Sequence, residues 1–140
     1  LCSCIQLSDI RFSDSVEQIG IRIRSIYGID LEIDVDDSIN QYDQLKLINL
    51  YFIVLESINN AIRHGKAEKI MLRYYMDKGR GFFTITSRQK VILIIDNPGM
   101  GLRIMKYRAE TSGMEFTISS DSEGVVSIIT LGEAPGIRVS

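Results

Sequence analysis

Apolar residues recur along this chain at two different periods, and the switches between them mark its elements. Val16, Ile19, Ile23 and Tyr27 follow a three-to-four spacing, which predicts a helix capped by Ser13 or Asp14 and stopped by Gly28. Residues 29–35 then alternate strictly, with Ile29, Leu31, Ile33 and Val35 separated by Asp30, Glu32 and Asp34. That alternation is the signature of a strand with one wet face. After a polar loop over 36–42, a long helix is predicted over 43–64, with Leu45, Ile48, Phe52, Leu55, Asn59 and Ile62 near one stripe and Gly65 at its end.

The second half of the chain reads mainly as strands. Residues 69–76 and 82–86 flank the turn Lys78-Gly79-Arg80-Gly81 and predict a hairpin. Residues 91–95 form a continuous apolar run, as expected of a strand buried on both faces. A helix over 101–112 ends at Gly113, and residues 114–120 and 125–131 predict a second hairpin around Asp121-Ser122-Glu123-Gly124. Helices and strands intersperse without regular alternation. The pattern therefore favours an α+β two-layer sandwich, a mixed sheet covered on one face by helices, over a doubly wound sheet.

Composition narrows the class. At 140 residues the chain suits one domain, read as 13–140, preceded by a linker over 1–12 that lacks periodicity. It is 45% hydrophobic and 24% charged, as a folded globular domain is. Lys and Arg total 16 against 18 Asp and Glu, so no basic footprint for nucleic acid is expected, and a bound phosphate must be held by local geometry. Apolar runs fall short of the ~20 residues a membrane span needs. Because the chain opens on Leu1, a longer protein, anchored in a membrane elsewhere, is compatible with it. Cys2 and Cys4, with one distant His, make a poor metal site and read as reduced thiols in a linker.

Two segments carry candidate chemistry. Glu56, Asn60 and His64 sit at i, i+4 and i+8 of the long helix and so share one slowly drifting face. A carboxylate there can serve as a general base, although a partly exposed glutamate bonded to a loop is an equally ordinary role. The Asn60 carboxamide oxygen is a hard neutral ligand suited to Mg²⁺, or else a buried amide satisfied by backbone. His64 can donate to a phosphate or cap the helix C-terminus. Downstream, Asp96 closes the apolar run and can accept a hydrogen bond from an exocyclic amine such as that of adenine. Gly99 and Gly101, lacking Cβ, let backbone N–H groups approach a polyphosphate at the start of the next helix.

Together these residues resemble the catalytic, ATP-binding domain of sensor histidine kinases, within the superfamily that holds gyrase and mismatch-repair ATPases. The stretch Glu56-Ser57-Ile58-Asn59-Asn60-Ala61-Ile62-Arg63-His64-Gly65 resembles the family's N-box, and Gly99-Met100-Gly101-Leu102 with the helix to Glu110 resembles its second glycine box, closest to the branch paired with nitrate- and sugar-phosphate-type regulators. The resemblance implies a Bergerat-type fold and a site for ATP and Mg²⁺. In it Glu56 would assist phosphoryl transfer and Asn60 would hold Mg²⁺. His64, Asp96, Gly99, Gly101 and Leu102 would line the nucleotide. It also implies a cytoplasmic location and a partner, a helical dimerisation domain bearing the acceptor histidine, with a response regulator acting downstream.

The sequence departs from that family in three ways. Asp96 is followed by Asn97-Pro98 where a D-x-G-x-G box and a lid are usual, and Val125 follows Gly124 where a threonine is usual. Asp77-Lys78-Gly79-Arg80-Gly81 matches the missing box letter for letter but one strand early, while Ser87 stands at the customary distance from the N-box. The expected base-reading residue is Asp96, with Asp77 and Ser87 as alternative registers. The missing lid and Val125 sustain a second reading, a degenerate module serving protein interaction; a serine kinase of the anti-sigma-factor type shares the fold, but the similarity over Arg103 to Glu110 argues against it.

Overall fold

The computed structural model describes residues 11–89 and 100–134. In chain order these form α1 (Phe12–Tyr27), β1 (Asp30–Asp34), a 3₁₀ turn (Asp37–Gln41), α2 (Gln44–Arg63), β2 (Ala67–Asp77), β3 (Arg80–Gln89), α3 (Met100–Thr111), β4 (Glu115–Ser120) and β5 (Gly124–Glu133). The five strands make one sheet in the order β1-β2-β3-β5-β4. β1 runs parallel to β2 and the other pairings are antiparallel, so the sheet is mixed, as its irregular alternation of elements predicts. The apolar strand expected at 91–95 lies outside the described residues.

Period-two alternation divides the sheet into a dry and a wet face. Ile70, Leu72, Phe83, Ile85, Ile129 and Leu131 point inward and meet Val16, Ile19, Leu50, Ile53, Val54 and Ile58 in one core. The wet face carries Lys69 beside Asp30 and Glu32, and Arg73 beside Asp34, as exposed ion pairs that set register more than they stabilise. In α1 the predicted stripe holds at Val16, Ile19 and Ile23, while Tyr27 is exposed at the last position of the helix. Gly28 stops the helix in the left-handed conformation, φ 65°. The α1 N-terminus lacks a cap from its own first residues. Instead the Asn40 carboxamide oxygen accepts the Ser13 N–H at 3.1 Å, and Phe12 is already core, edge-on to Phe83.

The predicted stripe of α2 is the wrong one. Leu45, Ile48 and Phe52 are 60%, 46% and 42% exposed, and the buried face is Leu47, Leu50, Ile53, Val54, Ile58 and Ala61. The two stripes lie about 180° apart on the helix. Both are apolar, and periodicity alone ranks them equally. The sheet takes the side with Leu50, Val54 and Ala61, while Ser57 on its margin meets Met105. This helix also has the length and hydropathy of a membrane span, but it lies in the core of the domain, with 44% of its most apolar window buried. The β2–β3 hairpin turns at Lys78 and Gly79, with φ of 52° and 80°, the two positive angles that a two-residue turn of matching twist requires. Both strands run longer than predicted, and β3 continues through Ser87 to Gln89.

Phe83 is fully buried at the centre of the sheet, so Phe83→Ala is expected to lower unfolding free energy by about 3–5 kcal/mol in urea titration. Tyr42 gives a second check. Burial, and then the hydrogen bond with Tyr74 at 3.5 Å, push its hydroxyl well above the usual tyrosine range. The folded state therefore keeps this proton where the unfolded chain has begun to lose it. That contribution is complete below about pH 10 and lost as pH rises beyond it. Tyr42→Phe should flatten the alkaline fall in stability; an unchanged slope between about pH 9.5 and 11.5 contradicts the assignment.

Candidate functional site

With α2 rotated by its buried face, Glu56 and Asn60 emerge half-buried along its flank, one turn apart. Neither side chain has a hydrogen-bond or ion-pair partner among the described residues. α3 packs beside the same flank in the opposite direction. Its position is fixed by Met105 against the Ser57 hydroxyl at 3.4 Å, and by Arg108, which donates to the Asn49 carboxamide oxygen at 3.1 Å. The Arg108 guanidinium also lies 4.4 Å from the centre of the Phe52 ring, a cation–π contact. This antiparallel arrangement brings the first turn of α3 to Glu56. A Cβ placed on Gly101 would fall 2.7 Å from the Glu56 carboxylate, so a larger residue there would push the carboxylate aside.

The fold thus brings Glu56 to Gly101, with half-buried Asn60 one turn along α2 and half-buried Leu102 next in α3. His64 stands apart as the exposed C-cap of α2, its N–H donating to the Asn60 carbonyl at 3.0 Å. Asp96 and Gly99 lie outside the described residues. Asp77 is at the tip of the β2–β3 hairpin opposite Arg80, ten residues of extended chain from the end of the strand next to α2. The letter match at 77–81 is a hairpin turn. Ser87, by contrast, lies where β3 ends beside the C-terminus of α2, pairing with Val125 of β5.

Sequence reasoning missed Gln89. Its carboxamide rests directly on the Cα of Gly65, in the space a side chain there would fill, and its oxygen accepts the Ser87 hydroxyl. The Ser87 carbonyl in turn lies against the Cα of Gly124, again where a Cβ would have to go. Two glycines from distant segments so close around one serine–glutamine pair. Only Ser87 carried a signal in the sequence, its distance from the N-box.

The donor set at Glu56 and Asn60 suits a hard cation carried on a polyphosphate. Mg²⁺ takes few protein ligands and prefers oxygen, and Asn60 offers one neutral oxygen that has no side-chain hydrogen bond among the described residues. No cluster of three or more His, Cys, Asp or Glu residues occurs among the described residues. The first turn of a helix such as α3 has N–H groups without intrahelical partners and carries the positive end of the helix dipole.

No family model and no curated protein matches the sequence. Solved structures do match. The histidine kinase domain of the blue-light-activated histidine kinase EL346 from Erythrobacter litoralis superposes with a TM-score of 0.69 at 18% identity, over 87% of this chain and 61% of that one. The histidine kinase AdeS of Acinetobacter baumannii gives 0.67 at 15% identity, over 89% of this chain and 66% of that one. The ATP binding domain of PrrB from Mycobacterium tuberculosis gives 0.66 at 15% identity, over 89% and 95%. The chain has the fold of these histidine kinase domains and spans about three fifths of the EL346 kinase domain's length.

The contact between Gly101 and Glu56 can be tested without ligand. Alanine favours a helix over glycine by up to about 1 kcal/mol, a gain the Glu56 carboxylate should oppose. Gly101→Ala is expected to stabilise the Glu56→Ala protein more than the native one by about 0.5–1 kcal/mol in a double-mutant cycle. Equal effects in both backgrounds would show that the two groups do not meet.

Proposed function

We propose that this chain is the ATP-binding catalytic unit of a two-component sensor histidine kinase. The observation that carries the reading is the meeting of Glu56 with Gly101 at the start of α3, with Asn60 one turn further along the same helix, in a fold shared with histidine kinase domains. Asn60 would hold Mg²⁺ through its carboxamide oxygen, and the bound ion would supply positive charge against the phosphates. The N–H groups at the start of α3 receive the phosphate oxygens, and Leu102 covers them on the core side. Glu56 orients the incoming imidazole and takes up its N–H proton. The imidazole nitrogen forms a bond to the γ-phosphorus as the bond to the bridging oxygen breaks, leaving ADP.

The acceptor is a histidine on a helical dimerisation domain, from which a response regulator later draws the phosphoryl group. His64, the single histidine of the sequence, caps α2 and is assigned to nucleotide contact rather than to acceptance. The proposed location is the cytoplasm, where ATP is supplied and Cys2 and Cys4 stay reduced. A second reading, a degenerate interaction module, is favoured by Val125 beside Ser87, a pair that puts neither a threonine nor a carboxylate at the end of β3.

Calorimetry with Mg²⁺ and a non-hydrolysable ATP analogue separates the two. The catalytic reading predicts saturable heat that depends on Mg²⁺, and Asn60→Ala should weaken binding by about tenfold or more while removing the metal dependence. An absence of heat at millimolar nucleotide contradicts this reading and supports the degenerate module.

A further inference from the structure

α2 is apolar on two faces, and the domain buries only one of them. Leu45, Ile48 and Phe52 form the open row, and α3 sets Ile104 and Tyr107 beside it, 45% and 69% exposed. Between the two helices runs a groove of about 290 Å³. The exposed residues of α2 are Gln44, Leu45, Ile48, Phe52 and Asn59, with Arg63 in the last turn its sole exposed charge. A helix apolar on all sides is ordinarily enclosed on all sides, and a contiguous apolar patch in water marks an interaction surface.

The charges bordering the patch indicate what covers it. Arg103 and Glu110 stand about two turns apart on one margin of α3. Both are exposed, and neither has a hydrogen-bond or ion-pair partner among the described residues. Arg108 is already engaged, bonded to Asn49 and lying over the Phe52 ring. Lys106 lies about 100° around the helix from Tyr107, off the patch. A partner of one sign, such as an anionic membrane, would satisfy Arg103 and repel Glu110.

A second copy of the chain satisfies both. In a two-fold contact, wherever residue i meets j, j also meets i. Two antiparallel copies of α3, related by an axis beside Tyr107, set Arg103 of each copy near Glu110 of the other. α2 obeys the same axis. Glu56 against Gly101 and Asn49 bonded to Arg108 hold α2 and α3 in one antiparallel register. In that register the midpoint of Arg103 and Glu110 is level with Leu50, to within about one residue. Leu50 is also midway between Ile48 and Phe52. The axis that pairs the charges therefore lays Ile48 of one α2 against Phe52 of the other.

We propose that this chain forms a symmetric dimer through the outer faces of α2 and α3, with a second copy of itself as the partner. The inference is independent of nucleotide binding. It assigns a role to the apolar stripe that the sheet leaves open.

Sedimentation equilibrium of the whole chain tests it, with reductant present so that Cys2 and Cys4 cannot link copies. A monomer–dimer equilibrium is expected, with a dissociation constant on the order of 10–100 µM. Arg103→Glu and Glu110→Arg each set like charges against one another twice per dimer, and each should weaken it by about tenfold or more. An equal mixture of the two variants re-creates both opposite-charge pairs and should restore association as a heterodimer. Both positions are exposed on α3, so circular dichroism should show the fold unchanged. A chain that stays monomeric to about 1 mM overturns the proposal and leaves the face to a partner of another kind. A dimer indifferent to both reversals, or a mixture no stronger than the single variants, overturns it as well.

Discussion

The rotation of α2 about its own axis is the constraint on which the rest of the site depends. Apolar residues lie on nearly all sides of this helix, and the face that lies on the sheet holds Leu50, Val54 and Ala61. Burying it places Glu56 and Asn60 at the rim, half in the protein and half in reach of a ligand. Turning the helix by half a revolution would bury Asn59 and expose the core. The cost of that exchange, several apolar side chains at about 1.5–3 kcal/mol each, exceeds anything the polar groups could return. The core thus dictates where the chemistry sits.

Around that fixed helix, two other segments define the two ends of a candidate nucleotide cleft. α3 is aligned by Met105 and Arg108, and its glycine start meets the Glu56 carboxylate. β3 brings Ser87 and Gln89 to Gly65, about two and a half turns beyond Glu56. The glycines at 65, 101 and 124 have one task in common. Each removes a Cβ at a place where two segments meet more closely than side chains allow.

Much of this was legible in the sequence, and the failures have physical causes. Strict alternation located β1 and the hairpins, because a half-buried strand cannot hide its period. Gly28 and the pair Lys78-Gly79 marked stops and turns because few residues accept a positive φ. Glu56 and Asn60 were legible from spacing on a helix whatever stripe is buried. The buried stripe itself was not, since α2 offers two apolar faces and only tertiary packing chooses between them. The helix start at Arg11 was also missed, because its cap comes from Asn40, 27 residues away from the Ser13 N–H it accepts. Gln89 left no trace in the pattern. Its meaning arises only when the end of β3 folds against Gly65. The letters of 77–81 misled for the opposite reason, a motif whose glycines serve a turn.

The central claim is that a phosphate-bearing nucleotide lies along α2 from Glu56 to Gly65, against the start of α3. Backbone amide NMR of the isotopically labelled chain, titrated with Mg²⁺ and a non-hydrolysable ATP analogue, tests this most directly. The account predicts saturable shifts concentrated at Asn60 to Gly65, Gly101, Leu102 and the Ser87–Gln89 end of β3. The wet-face residues Glu32, Arg73 and Thr117 should stay unmoved. Shifts confined to the wet face of the sheet, or none at saturating nucleotide, would contradict it.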